Sequence, residues 1–336
     1  MSDREERRAR LLERRGQLSA EQQRLLAERL RGPAANPGDR APAGPARCLV
    51  EINPVEAPGG APGAPEDRPP FFCVHPAGGD VLCFFPLARA LGADQPFYGL
   101  QARGLDDERE PFAGIEEMAA AYLEELRGVQ PAGPYHLGGW SFGGLAAFEM
   151  AQQLRARGEE VALLAVIDTG PGFSEKTPLW MPVDPSLLDE ADPSHQLLVI
   201  AEYLHGLRGV DLGLTLGDLA GRGAEEQIGL FVARLQSAGV MHAEDSRGQI
   251  RRLLRVYRAN VHAYRAYRPH PYDGRITVLR AAEGELAAAA APDLGWSAFT
   301  PFPAELRVTP GDHVTLLAEP HVRVLAHTLR REIEPR

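Results

Sequence analysis

A serine flanked by glycines is the feature of this sequence that most directly indicates chemistry. Ser141 lies in GWSFG at 139–143, which has the GxSxG pattern of a nucleophile elbow. The pattern alone is only moderately specific, but it directly follows an apolar run typical of a strand and precedes a helical pattern. A sharp strand-to-helix turn presents a serine hydroxyl above a sheet, and the glycines leave room for the turn. We therefore predict that Ser141 is a nucleophile; the alternative is a glycine-rich turn with an incidental serine.

A base has to accompany such a serine, because a hydroxyl is a poor nucleophile at neutral pH. Among the ten histidines, His313 lies in PGDH at 310–313, between a late apolar run and the last helical pattern. In the chain order serine, acid, histidine, the base comes from a loop after a late strand. His321 and His327 fall in the final helical region and are more simply explained as surface or packing residues. We therefore expect His313 to be the base.

The acid that orients this histidine is not decided by position alone. Asp168 ends the apolar run after the elbow helix, whereas Glu283 and Glu285 follow the next apolar run. Asp312 is a poor candidate, because a residue adjacent to the base does not easily reach the ring nitrogen that needs orienting. Asp168, Glu283 and Glu285 therefore stay open at this point.

An oxyanion hole requires two backbone amides aimed at the developing negative charge. The amide of Phe142 is one candidate, since this residue follows the nucleophile. The loop HPAGG at 75–79 would supply the other, and Ala77 is the expected donor because Pro76 has no N–H. The alternative for this loop is an ordinary glycine-rich turn.

The elements that must position these residues alternate between short apolar runs and helical patterns. Such alternation predicts an α/β fold with a doubly wound, mostly parallel sheet. One interval lacks a convincing strand, which predicts an inserted helical lid over about 171–273 with a long helix near Gln249–Tyr267. The predicted strands are Phe71–Val74, Phe97–Leu100, Tyr135–Leu137, Val161–Ile167, Ile276–Leu279 and Leu306–Val308, and the other predicted helices are Cys83–Leu91, Ile115–Leu126, Gly144–Arg157 and His321–Glu332.

The composition excludes several classes of protein. The 336 residues are 44% hydrophobic, which allows a sizeable core and excludes wholesale disorder. A net charge of −10 argues against a general nucleic-acid binder. Cys48, Cys73 and Cys83 lack the spacing of a disulfide framework or a zinc site, and we expect no metal. Because the N-terminal region has no long apolar run, we expect no signal peptide or membrane span and a cytoplasmic protein.

The chain divides into three segments by composition. We expect residues 1–32 to form a charged helical arm; they carry a net charge of +3, which leaves −13 on the remaining residues. Residues 33–68 are a linker rich in proline, glycine and alanine, with one possible strand at Cys48–Ile52. Residues 69–336 form the globular domain, which includes the lid.

Several motifs together resemble the thioesterase domains that terminate non-ribosomal peptide synthetases and related polyketide synthases. The resemblance extends over roughly residues 69–330 and implies an α/β-hydrolase fold, a helical lid and a Ser-His-Asp triad. In that family the acid follows the strand after the elbow, and its spacing of about 27 residues from the serine singles out Asp168. The motifs are FFCVHPAGG (71–79), YHLGGWSFGG (135–144), VIDT (166–169), Gly295-Trp296 and PGDH (310–313).

The resemblance also implies a function in secondary-metabolite and antibiotic biosynthesis. Ser141 would take an acyl or peptidyl chain from the phosphopantetheine thiol of a carrier protein, and water or an internal nucleophile would release it by hydrolysis or cyclisation. The pantetheine belongs to the partner, so no cofactor of this chain is expected. The alternatives are a generic carboxylesterase or lipase, whose common HGGG loop is missing, and a non-catalytic scaffold that binds carrier domains.

Two further expectations follow from this resemblance. The positive arm on a negative body is expected to attract acidic carrier domains towards Ser141. In the long helix, Tyr257, Tyr264 and Tyr267 recur at helical spacing. These tyrosines either pack the helix onto the sheet domain, which is the simpler interpretation, or line the acyl channel.

Overall fold

Seven strands form one sheet in the computed structural model, which describes residues 48–53, 68–172, 188–241, 245–284 and 291–334. Their spatial order is β1-β3-β2-β4-β5-β6-β7. β1 pairs antiparallel with β3, and every other pairing is parallel. The predicted doubly wound, mostly parallel sheet is therefore confirmed. The strands are Leu49–Asn53 (β1), Phe71–Val74 (β2), Phe97–Leu100 (β3), Tyr135–Trp140 (β4), Val161–Ile167 (β5), Thr277–Ala281 (β6) and Glu305–Thr309 (β7).

Eight α-helices lie among the described residues. Within these residues, no helix is both long and apolar enough to cross a membrane. The helices are Phe85–Leu91 (α1), Ile115–Arg127 (α2), Phe142–Ala156 (α3), Ser194–Arg208 (α4), Leu216–Leu219 (α5), Ala224–Ser237 (α6), Ser246–Ala266 (α7) and Val322–Ile333 (α8).

Helices cover both faces of the sheet, which explains why its central strands are continuous apolar runs. In β2, Phe72 and Val74 point into the apolar cluster that contains α2 and α3. Phe71 and Cys73 point into a second cluster, which contains α1 and α8. Alternate residues of β2 thus pack into the cores on opposite faces of the sheet.

The strand and helix around Ser141 both extend further towards it than the sequence predicts. β4 continues to Trp140 rather than ending at Leu137, and α3 begins at Phe142 rather than Gly144. Gly138 pairs with Cys73 of β2 and Ala165 of β5, and it has to be glycine because a Cβ there would collide with the ring of Phe71. Ser141 is therefore the single residue between strand and helix. The other predicted elements agree with the structure to within three residues at each end.

The predicted linker strand belongs to the sheet of the globular domain. Leu49 pairs with Leu100 of β3, and the amides of Cys48 and Leu49 donate to the carboxylate of Glu125 in α2, at 2.9 and 2.7 Å. The arm (1–32) and the linker outside 48–53 and 68 lie outside the described residues. The arm, linker and lid boundaries therefore stay predictions.

The interval between β5 and β6 contains helices α4 to α7 and, among its described residues, no strand. These helices enclose an apolar cluster of their own, to which α7 contributes Ile250 and Leu254. Further along α7, Val261 and Tyr264 pack instead into the cluster with α2 and α3. The last helix of the insertion is therefore shared between the insertion and the sheet domain.

Acid should destabilise the fold partly through His136 of β4. Its side chain is 6% exposed, and its Nδ1 has no hydrogen-bond partner among the described residues. Burial lowers the pKa of His136 from 6.5 to about 4. Between pH 6.5 and pH 4 the histidine is protonated in the unfolded chain but not in the folded protein. The free energy of unfolding therefore decreases as pH falls from about 6.5 to about 4. We expect His136→Leu to weaken the fall of the melting temperature over this pH range. The exposed His327 supplies the control, since His327→Leu should leave the parent slope unchanged; equal slopes for all three proteins would contradict the assignment.

Candidate active site

Ser141 adopts the strained backbone of a sharp turn between β4 and α3. Its φ and ψ angles are 59° and −130°, a left-handed φ that residues other than glycine rarely adopt. Its amide donates to the carbonyl of Ile167 in β5 at 3.0 Å, and its carbonyl accepts from the amide of Gly144 at 2.9 Å. The neighbouring strand and the helix therefore hold the strained residue in place.

The two glycines of the GxSxG pattern are required because backbone approaches backbone at this turn. A Cβ at Gly139 would collide with the carbonyl group of Gly143. A Cβ at Gly143 would collide with the carbonyl oxygens of Val74 and His75, which follow β2. The elbow therefore packs directly against the loop after β2, which places Ser141 beside the predicted oxyanion loop.

His313 and Asp168 form a buried hydrogen-bonded pair. Nδ1 of His313 donates to Oδ2 of Asp168 at 2.7 Å, and the two side chains are 9% and 0% exposed. Since Nδ1 carries the proton, Nε2 is the basic nitrogen of the ring. This is the tautomer that a general base for a serine hydroxyl needs.

Trp140, the residue before Ser141, joins the elbow to the His313 loop. Its indole Nε1 donates to the carbonyl of His313 at 2.9 Å. The indole also stacks on the imidazole, with ring centroids 5.2 Å apart and planes 29° apart. The serine and the histidine are therefore connected through one side chain that contacts both loops.

Asp168 is held by the strand next to it in the sheet. Its amide donates to the carbonyl of Leu279 in β6, and its Oδ1 accepts from the amide of Ala281, both at 2.8 Å. The indole of Trp296, from the Gly295-Trp296 motif, donates to the carbonyl of the following Thr169 at 2.6 Å. The carboxylate is thus fixed on one side so that Oδ2 faces the histidine.

The other acids considered from the sequence do not match this arrangement. Glu283 is exposed. Asp312 uses Oδ1 to accept from the amides of Val314 and Thr315, both at 2.9 Å, and so caps the turn after His313. Glu285 lies outside the described residues. The geometry favours Asp168 as the orienting acid.

The predicted oxyanion loop lies beside Ser141. Ala77 is 5% exposed and lines the same cavity as the serine. Phe142 begins α3, where the first amides of a helix have no acceptor within the helix. The amides of Ala77 and Phe142 therefore remain the candidates for stabilising an oxyanion.

A cavity of about 220 Å³ lies beside Ser141 and extends under the inserted helices. Its lining is mostly aliphatic and aromatic. Tyr257 contributes to this lining, whereas Tyr264 and Tyr267 are buried in the main core, so the packing interpretation fits those two. Apolar side chains from α4, α6 and α7 supply much of the wall, among them Val199, Ile200, Leu204, Phe231, Leu235 and Leu253.

Three residues around the site have contacts that sequence reasoning did not find. Trp140 was recognised only as part of the elbow pattern, and His75 only as part of the loop motif. Asn260 of α7 donates from Nδ2 to the carbonyl of Ala77 at 2.9 Å, across 183 residues of chain. No local pattern around Asn260 signals such a contact.

Known proteins are similar to this chain in sequence and in structure. Residues 69–332 match a family model described as the thioesterase domain. The chain is 51% identical over 105 residues to a dimodular nonribosomal peptide synthase of Bacillus subtilis (strain 168). That alignment covers 31% of this chain and only 4% of the synthase, so the chain corresponds to a small part of this relative.

Two solved structures have a similar fold. Holo-AB3403, a four-domain nonribosomal peptide synthetase bound to AMP and glycine, has a TM-score of 0.69 and 26% identity, over 86% of this chain and 20% of that chain. The NocB thioesterase domain, in a covalent complex with a fluorophosphonate nocardicin G analogue, has a TM-score of 0.53 and 25% identity. That match covers 85% of this chain and 100% of the NocB chain. These matches confirm the expected α/β-hydrolase fold.

The assignment of the acid leads to a ranking of two carboxylate variants. Asp168→Asn should slow the reaction of Ser141 with a fluorophosphonate probe by about 10³-fold or more, because the imidazole loses its orientation and correct tautomer. Glu283→Gln should leave that rate unchanged, since Glu283 is exposed and the Asp168–His313 pair remains. Labelling followed by intact mass spectrometry measures both rates. The reverse ranking would assign the orienting role to the loop after β6.

Proposed function

Because this chain belongs to the thioesterase domain family, we propose that it releases an acyl or peptidyl chain from the pantetheine arm of a carrier protein. The observation that carries the proposal is the buried Asp168–His313 pair, joined through Trp140 to the strained turn at Ser141. A chain of this family with such a pair beside its elbow serine is suited to covalent acyl transfer. The synthetase relatives support a role in secondary-metabolite biosynthesis.

In the proposed first step, Oγ of Ser141 attacks the thioester carbonyl while Nε2 of His313 accepts the hydroxyl proton. The amides of Ala77 and Phe142 donate to the oxyanion that forms. Asp168 accepts the Nδ1 proton in a hydrogen bond and stabilises the imidazolium. The tetrahedral intermediate collapses, the C–S bond breaks, and His313 returns the proton to the pantetheine sulfur.

Release of the chain repeats these steps with a second nucleophile. Water, or a hydroxyl or amine of the bound chain, loses its proton to His313 and attacks the Ser141 ester. The C–O bond to Ser141 then breaks and the serine recovers its proton. Water gives the free acid, whereas an internal nucleophile gives a ring.

The cavity beside Ser141 favours an apolar group next to the reacting carbonyl. Burial of apolar surface contributes about 25 cal/mol per Å², so an aliphatic or aromatic group gains from entering this lining. Among the described lining residues, Asp80 and Arg208 carry charge. We infer that an apolar acyl group occupies the aliphatic part of the cavity during the reaction.

The partner in this proposal is a carrier domain, and the support comes from the multidomain relatives. Holo-AB3403 is a four-domain synthetase, and the chain aligns with only 20% of it. The partner carries the pantetheine, so the present chain needs to supply only the acyl-transfer groups and a surface for docking. A cytoplasmic location, as expected from the sequence, stays a prediction.

Synthetic pantetheine thioesters test the reaction and its preference for apolar chains. The parent should hydrolyse octanoyl-pantetheine at least ~10-fold more efficiently than glutaryl-pantetheine, because the second carboxylate would be desolvated in a mostly apolar cavity. Liquid chromatography of the products gives kcat/KM for each substrate. Faster turnover of the matching oxygen esters would favour a carboxylesterase instead.

The catalytic roles are tested with Ser141→Ala, His313→Ala and the double variant on octanoyl-pantetheine. Each single variant should lose about 10³-fold or more in kcat, and the double variant should lose little beyond that, since the residues act as a unit. Melting temperatures check that all three variants fold. A parent protein that neither hydrolyses the thioester nor accumulates an acyl group on Ser141 would support the scaffold alternative.

The proposed partner gives the positive arm a testable role. The arm carries +3 and the remaining residues −13, so its removal should increase the repulsion of an acidic carrier domain. We expect deletion of residues 1–47 to leave hydrolysis of free octanoyl-pantetheine unchanged. The same deletion should slow processing of an octanoyl-loaded carrier domain, most strongly at low salt, where screening is weak. Equal rates at every ionic strength would show that the arm has no part in docking.

A further inference from the structure

Two side chains from distant parts of the chain hold consecutive carbonyl groups of the oxyanion loop. Nδ1 of His75 donates to the carbonyl of Pro76 at 2.7 Å, and Nδ2 of Asn260 donates to the carbonyl of Ala77 at 2.9 Å. Both side chains are buried, at 0% and 1% exposure. We propose that His75 and Asn260 are positioning residues that aim the Ala77 amide at the oxyanion, an inference that rests on the proposed acyl-transfer function.

Because the peptide bond is planar, a hydrogen bond that fixes the Pro76 carbonyl also fixes the direction of the Ala77 N–H. In a trans peptide the C=O and the following N–H point in opposite directions, so fixing one fixes the other. The Pro76 oxygen accepts from His75 Nδ1 and also from the amide of Gly79 at 2.9 Å. Two donors on this oxygen restrict the rotation of the peptide plane, and they polarise the Ala77 N–H into a stronger donor.

The imidazole of His75 is itself held rigidly and in one tautomer. A carbonyl only accepts hydrogen bonds, so Nδ1 carries the proton and Nε2 is the acceptor of the ring. The hydroxyl of Tyr122 lies 2.8 Å from Nε2 and 3.2 Å from the carbonyl oxygen of Gln101, and its one proton is shared between these two acceptors. Burial lowers the pKa of His75 to about 4, which keeps the ring neutral near neutral pH. The ring also stacks on Phe142, with centroids 5.7 Å apart and planes 18° apart. His75 thus contacts Phe142 directly and, through the Pro76 carbonyl, holds the peptide group that carries the Ala77 amide.

Asn260 fixes the peptide on the other side of the Ala77 amide. It lies on α7, where Val256, one turn earlier, contacts the loop so closely that a Cβ at Gly79 would come within 2.6 Å of its Cγ1. Gly79 has a φ of 85°, a conformation that also favours glycine. The carbonyl groups of Pro76 and Ala77 are therefore both held, one by His75 at the start of the loop and the other by Asn260 of α7.

Two substitutions at His75 separate the hydrogen bond to Pro76 from the rest of the ring. The amide nitrogen of Asn superposes on the position of Nδ1, so His75→Asn keeps a donor for the Pro76 carbonyl. His75→Gln places its amide near the position of Nε2 and has no donor at that of Nδ1. With octanoyl-pantetheine, we expect His75→Gln to lose about 10²-fold in kcat with KM nearly unchanged. His75→Asn should recover most of that loss, and Asn260→Leu should lose ~10-fold in kcat.

Inhibitors separate a positioning role from a general loss of structure. The trifluoromethyl ketone analogue of the octanoyl thioester forms a hemiketal with Ser141, and its oxyanion occupies the place that the Ala77 amide faces. The unreactive amide analogue has no such charge. For His75→Gln and Asn260→Leu, the inhibition constant of the ketone should rise in proportion to the loss in kcat/KM. The affinity for the amide analogue should stay at the parent value.

A destabilised variant away from the loop completes the design. Leu126 of α2 is fully buried in the same core, and Leu126→Ala should lower the melting temperature without changing kcat or the ratio of the two inhibitor affinities. If His75→Gln does not fold, Asn260→Leu and His75→Asn carry the comparison. If His75→Gln and Asn260→Leu fold and both keep the kcat and the ketone affinity of the parent protein, the positioning role is overturned. A parent protein inactive on every thioester would instead overturn the proposed function.

Discussion

The turn at Ser141 determines where every other part of the site has to lie. Ser141 is the single residue between strand and helix there, and its backbone adopts a left-handed φ of 59°. Such a residue costs on the order of 1–3 kcal/mol and persists only where its surroundings hold it. Here the carbonyl of Ile167 in β5 accepts a hydrogen bond from the Ser141 amide. The glycines of the motif let the loop after β2 pack against the first turn of α3. The proposed nucleophile, the proposed oxyanion loop and Asp168 are therefore adjacent because one turn has to be stabilised.

Close contacts of the loop after β2 also connect the site to the inserted helices. α7 contributes to the separate cluster of the insertion and to the main core, and between these two contacts it reaches the oxyanion loop through Asn260 and Val256. The cavity beside Ser141 is lined by this helix as well. A helix that lines the cavity therefore also contacts the loop that would stabilise the oxyanion.

The sequence reveals those parts of the site whose signals are local. Motifs next to predicted strands point to Ser141 and His313, which the structure brings to the same edge of the sheet, and the alternation of elements predicts the sheet. Position alone leaves Asp168, Glu283 and Glu285 open, because the hydrogen bond that favours Asp168 joins residues 145 apart in the chain. The contact of Asn260 is hidden for the same reason, since a single amide on an amphipathic helix has no periodic signature. The sequence pattern does not show the extension of β4 to Trp140, because Gly138 and Gly139 weaken the strand signal; the ring of Phe71 requires the first glycine and the carbonyl of Gly143 the second.

The antiparallel direction of β1 has a consequence for how this domain is tethered. Leu49 is level with Leu100 of β3, which is level with Val74 of β2 and through it with Gly139 of β4. The start of β1 therefore lies at the same edge of the sheet as the elbow, about 14 Å away over three strand spacings. Had β1 been parallel, its start would lie at the opposite edge. Glu125 anchors this point through two amides. The chain before Leu49 therefore joins the sheet at the edge where Ser141 lies, so a carrier domain attached there would have only a short distance to span to the proposed nucleophile.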